Sequence, residues 1–163
     1  RRYEVVNGVL YMTPAPSPEH QSVAALILYH LLAHVQLSGR GKVYPAPLDV
    51  QLDAKTVVQP DVLVVLNEHL DRVTDICVVG APDLVIEVVS PSSLVRDLRE
   101  KLDAYARSAV PEYWVVSPDT KTVQVFVLES TSYRSLGIFQ GESAIPSRLL
   151  PGLAVTVEQF FML

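Results

Sequence analysis

A chain of 163 residues that is 49% hydrophobic and 19% charged can fill one sizeable core; it is too short for two comfortable domains and too apolar for disorder. Its net charge of −5 argues against a broad basic surface for gripping nucleic-acid phosphates, so any such contact has to be local and metal-assisted. The single cysteine, Cys77, excludes an internal disulfide framework and a cysteine-built zinc site, no apolar run reaches the roughly 18 residues of a membrane span, and the lack of an apolar leader after Arg1 sets the expectation of a trimmed cytoplasmic protein.

Residues 3–12 hold two short apolar runs around Asn7-Gly8, a dipeptide whose tolerance of positive φ predicts a β-hairpin. The proline-rich stretch 13–18 cannot pair inside a sheet. It leads into a helix that starts at Ser17 or Glu19, runs to about Leu37 and stops at Gly39. Apolar residues spread around most of that helix, which predicts burial on more than one side, including against a second subunit. Strands are expected at 48–52 and 57–66, joined through Asp53-Ala54-Lys55, followed by a loop over 67–82. Residues 83–89 (DLVIEVV) are apolar almost without a break, as in a central strand covered on both faces. Pro91 ends that strand, and a second helix is predicted over 92–108 on the stripe Leu94, Leu98, Leu102 and Ala106. Strands at 112–117 and 123–128 turn around Pro118-Asp119, a further strand covers 133–139, and a last short strand follows Gly152. The whole chain, residues 1–163, reads as a single domain of α/β class with mixed α+β character. Its expected core is a central mixed sheet flanked by helices, with an N-terminal β-hairpin and extra C-terminal strands.

Two acids stand in unusual places. Asp61 follows Pro60 at the entry to VLVVL, and Glu87 interrupts VIEVV. A carboxylate inside so apolar a run is expensive to bury unless a cation or a donor compensates it. If the two strands are neighbours, both groups can face one cavity as hard oxygen ligands suited to Mg²⁺ or Mn²⁺. Such an ion polarises a phosphoryl oxygen and generates hydroxide near neutral pH. The bland alternative for each acid is a satisfied buried carboxylate or a strand-end cap.

The segments VQPDVLVVL (58–66), GAPDLVIEVVSPSS (80–93) and the following RDLREKLDAYARSAVPEYWVVSP resemble the bacterial Uma family, a group of restriction-endonuclease-like proteins within the PD-(D/E)XK nuclease superfamily. The resemblance runs from about Tyr3 to Phe161. It implies that Asp61 is the acid of the PD element, that Glu87 is the acid of the (D/E)XK element, and that the main-chain carbonyl of Val88 is a further metal ligand. The lysine of the pattern falls on Val89, and the resemblance moves its role to Lys101 on the following helix. Asp97, Lys101 and Tyr105 recur at i, i+4 and i+8 and so share one helix face. From there Lys101 can orient the attacking water or offset phosphoryl charge; Tyr105 can hold Lys101 or the substrate backbone. The alternative is an ordinary Asp97–Lys101 helix pair worth about 0.2–0.5 kcal/mol.

Other candidates carry weaker signals. Glu19 or His20 at the first helix entrance, and Glu4 in the hairpin, are supporting groups for the same cleft. Asp83, in a second PD dipeptide, reads as a strand-start acid bonded to loop amides, and Ser90 as a helix cap, since no nucleophile elbow surrounds it. His30 and His34 have zinc-pair spacing without a third ligand; His69 reads as solvated. Tyr113 and Trp114 read as packing and not as a base-stacking platform. The function expected is a metal-dependent endonuclease acting on DNA as a homodimer, with no membrane association. The alternative, favoured by the acidic charge and by Val89, is a catalytically silent fold of the same kind serving as a homodimeric binding module.

Overall fold

The computed structural model describes residues 2–162, apart from the side chains of Ser93, Val95, Arg96 and Asp97. Strands β1 (Arg2–Val6) and β2 (Val9–Thr13) form the expected hairpin. Asn7 and Gly8 turn it with φ of 50° and 80°, the left-handed pair that matches strand twist. Helix α1 (Pro18–Leu31) is capped by the Ser17 side chain, which accepts from the His20 N–H at 3.1 Å. A π-helical turn, Leu32–Gln36, continues it. There follow β3 (Gly41–Pro45), β4 (Val50–Asp53), β5 (Thr56–Val58), β6 (Val62–Leu66), β7 (Val78–Val79) and β8 (Leu84–Val88). Helix α2 (Pro91–Arg107) leads to β9 (Glu112–Ser117), β10 (Thr122–Glu129) and β11 (Ser132–Gln140).

The strands make two sheets. The larger is mixed, in the order β11-β10-β9-β8-β6-β3, and its β8–β9 pair is parallel across α2. The smaller, β2-β1-β5-β4-β7, takes the N-terminal hairpin as its edge. Residues 57–66 are therefore not one strand. Pro60 has no N–H for a ladder, and at Gln59-Pro60-Asp61 the chain leaves β5 in the small sheet and enters β6 in the large one. Strand β3 was not expected; it is short, lies at an edge and ends on proline. The segment after Gly152 makes only an isolated bridge, Ala144 with Thr156, before a 3₁₀ turn at Val157–Phe161. The loop 67–82 contains a 3₁₀ turn, Asn67–Arg72, as well as β7.

Alternation along the central strands fills two cores. Val62, Val64, Leu84, Ile86, Trp114 and Val116 pack against Val23, Ile27, Leu31 and Val35 on the first-helix side. Leu63, Val65, Val85, Tyr113 and Val115 pack with Ala104 and Tyr105 of α2 on the other. Both faces are covered, so these strands read as continuous apolar runs. In α1 the fully buried positions form one i, i+4 stripe, and Tyr29 on another face is 65% exposed; burial is narrower than the composition of the helix suggests. Among the described residues no helix is long and apolar enough to cross a membrane.

Candidate active site

Antiparallel β6 and β8 pair Val62 with Ile86, and continuing that register by one residue sets Asp61 opposite Glu87. Side chains two apart on a strand share a face, so Glu87 joins Val85 on the α2 side of the sheet. There it meets Lys101 and Tyr105, one helical turn apart. Asp61 and Glu87 line the same cavity of about 660 Å³, together with Arg2, Glu4, His20 and Lys101. The crossover between sheets at Pro60 is thus what delivers Asp61 to the cavity.

Asp61 is buried and held from three sides. Its Oδ2 accepts from the Val88 N–H at 2.7 Å and faces His20 Nε2 at 3.3 Å; its Oδ1 meets Arg2 Nη2 at 3.2 Å. Burial pushes the carboxyl up, but the His20 contact, the Val88 amide and the Arg2 charge outweigh it and hold Asp61 below the usual aspartate value. The same hydrogen bond raises His20 above the ordinary imidazole value, against desolvation.

Glu87 has the opposite balance. Its Oε1 accepts from Tyr105 Oη at 2.7 Å and from Lys101 Nζ at 3.1 Å. Burial raises its carboxyl, the Lys101 charge opposes that, and the fields of Asp61 and Glu4 add to the rise, leaving it at about 7. Lys101 Nζ also lies 2.9 Å from both oxygens of Glu4. Desolvation disfavours the ammonium, yet Glu87 and Glu4 prevail and hold it above the usual lysine range. Glu4 Oε2 is itself fixed by the Gln59 N–H at 2.6 Å. Burial raises Tyr105 well above the ordinary phenol value, so its hydroxyl keeps its proton and donates to Glu87.

Asp61, Glu87, Val88, Lys101, His20 and Glu4 therefore line one space, and the fully buried Tyr105 touches that group through Glu87. The side chain of Asp97 lies outside the described residues. His30 and His34 build no metal set: His30 lies beside the Tyr29 and Phe160 rings, and His34 Nε2 faces Arg40 at 3.1 Å. His69 is not simply solvated; its Nδ1 lies 2.8 Å from Asp83 Oδ1, and Asp83 Oδ2 accepts from the Leu66 N–H at 2.8 Å. Arg2 escaped the sequence reading, although a signal existed: Arg2, Glu4 and Val6 alternate along β1, and Val6 is core, so both charges point inward.

Among the described residues no three His, Cys, Asp or Glu side chains converge as a closed metal set. What exists is a pair of hard carboxylates in an open cavity, with Glu4 in their field. Magnesium-type ions are commonly held by one or two carboxylates, with water and substrate filling the shell. Burial first, and then the fields of Asp61 and Glu4, disfavour the charged form of Glu87, and a divalent cation at the pair would favour it. The donor set fits such an ion.

Over residues 1–158 the chain matches the family model of Uma2, described as "Putative restriction endonuclease". Its fold is similar to a crystal structure from Anabaena variabilis ATCC 29413, described as "a putative nuclease belonging to DUF820". The TM-score is 0.82 and the identity 17%, covering 98% of this chain and 89% of that one. At that identity the likeness is one of fold. No curated protein matches the chain.

Proposed function

The chain belongs to the Uma2 family of restriction-endonuclease-like proteins, and from that premise we propose that it is a metal-dependent endonuclease hydrolysing phosphodiester bonds in DNA. Asp61, Glu87 and Lys101 are its catalytic residues. The observation that supports this most directly is the Glu87 carboxylate, shared by Lys101 and Tyr105 and lining one cavity with Asp61. Asp61 and Glu87 would hold Mg²⁺ or Mn²⁺, with the Val88 carbonyl as a third oxygen. That ion would polarise the phosphoryl oxygen and lower the pKa of water. Lys101, kept protonated by Glu87 and Glu4, cannot take a proton from water near neutral pH. Its part is to donate: it orients the attacking water and offsets charge as the phosphoryl group turns over. Tyr105 holds the Glu87 oxygen, and His20 holds Asp61. Residues 1–163 act together as one nuclease unit.

Plasmid nicking in Mn²⁺ tests this reading. Asp61→Asn and Glu87→Gln are expected to abolish it, and Lys101→Met to slow it by about 100-fold or more, with circular dichroism unchanged. Calorimetry with Mn²⁺ should show binding that depends on Glu87.

A second reading, a catalytically silent module that binds a second copy of the chain, has support of its own. Each acid already has a cationic partner of its own, Arg2 for Asp61 and Lys101 for Glu87. No Glu87-dependent Mn²⁺ heat, together with a dimer in sedimentation, would decide for it.

A further inference from the structure

The Arg2 guanidinium sits against Asp61 and lines the cavity, yet it is underused. Its Nη2 makes the contact at 3.2 Å, while its Nε is buried with no hydrogen-bond partner among the described residues. Arginine carries five donors in a rigid fork, and a buried donor left unpaired is costly. The donor set that this side chain presents is complementary to an anionic group with several oxygens. A second buried atom without a partner among the described residues, the Gln59 Oε1 acceptor, belongs to a residue lining the same cavity. The basic side chains Arg2, His20 and Lys101 all line this space in a chain of net charge −5. Lys101 is committed to Glu4 and Glu87, and His20 to Asp61 and Gln21. Arg2 is the member of the three with a buried donor to spare.

We propose that Arg2 is a substrate-contact residue that grips the nonbridging oxygens of a nucleic-acid phosphodiester beside Asp61. This rests on the nuclease reading. A cation at Asp61 weakens the Arg2–Asp61 attraction and turns the guanidinium fork toward the phosphate, so metal and phosphate recognition share one side chain. Bidentate arginine contacts of this kind are among the strongest charge-assisted hydrogen bonds. The structural alternative is that Arg2 only neutralises Asp61.

Two measurements on the full chain separate these. Calorimetry follows Mn²⁺ binding, and fluorescence anisotropy follows a labelled 20-base-pair duplex in Ca²⁺, for the parent, Arg2→Met and Arg2→Lys. The expected result is Mn²⁺ binding in Arg2→Met at least as tight as in the parent, because a competing cation is gone, with duplex affinity about ten-fold weaker or more. Arg2→Lys, which keeps charge but loses the fork, should fall between. Duplex affinity within two-fold of the parent in Arg2→Met overturns the assignment, as does loss of its Mn²⁺ binding, which would make Arg2 a support for Asp61. If Arg2→Met fails to fold, Arg2→Lys decides: duplex affinity equal to the parent overturns it. A parent that binds no Mn²⁺ removes the nuclease reading itself and the Arg2 role with it.

Discussion

Two carboxylates from neighbouring strands are driven in opposite directions by their surroundings. Asp61 is stabilised as an anion by His20, the Val88 amide and Arg2, whereas Glu87 is lifted to about 7 by burial and by the fields of Asp61 and Glu4. A carboxyl at about 7 in the fold and 4.5 when unfolded binds its proton more tightly in the native state. Its contribution to stability is complete below the unfolded value and is lost as pH rises through 7. In metal-free buffer, Glu87→Gln should therefore improve relative to the parent by about 2–3 kcal/mol between roughly pH 5 and pH 9. Urea unfolding at the two pH values measures it, and a difference that does not change with pH would refute the elevated carboxyl. Asp61 and Glu87 were visible in the sequence because a charge in an apolar β-run is conspicuous. Glu4 was named from its place in the hairpin, whereas Arg2 was not, since the inward face of so short a strand depends on a partner sheet.

Among the elements, the C-terminal segment is tied to the large sheet by one buried acid as well as by apolar packing. Glu112, at the start of β9 and 1% exposed, accepts from Trp114 Nε1 at 2.8 Å, Ser147 Oγ at 2.6 Å and the amides of Arg148 and Leu149 at 2.9 and 3.1 Å. Glu112→Ala strips four donors of their partner in a buried place, and a loss of about 3 kcal/mol is expected. Hydrogen exchange at the Arg148 and Leu149 amides should rise before global unfolding; unchanged protection there would show that the segment is held by packing alone. Hairpin, helices and central strands were legible because turn chemistry and apolar period are local. The split of residues 57–66 between two sheets was not. Pro60 signals an interruption, but which sheet each half joins depends on pairings made by β1 and β8.

For the molecule as a whole, an acidic chain that meets a polyanion has to rely on few contacts. If the duplex is held in the cavity chiefly by Arg2, with Lys101 beside it, the logarithm of affinity in Ca²⁺ should fall against the logarithm of salt with a slope of about −1 to −2. Anisotropy over a series of NaCl concentrations reads it, and a slope of −6 or steeper would require a basic surface that the composition denies. The amino-acid sequence by itself determined the class of fold, the hairpin, the second helix and the two acids of the candidate site, because each follows from local chemistry or from apolar periodicity; Lys101 was singled out by the family resemblance. Only the tertiary structure decided that Asp61 stands opposite Glu87, that β1 closes the cavity with Arg2 and Glu4, and that Lys101 reaches across to both Glu4 and Glu87. Those relations join residues up to 97 positions apart, and the pairing of strands, which no single segment encodes, sets them.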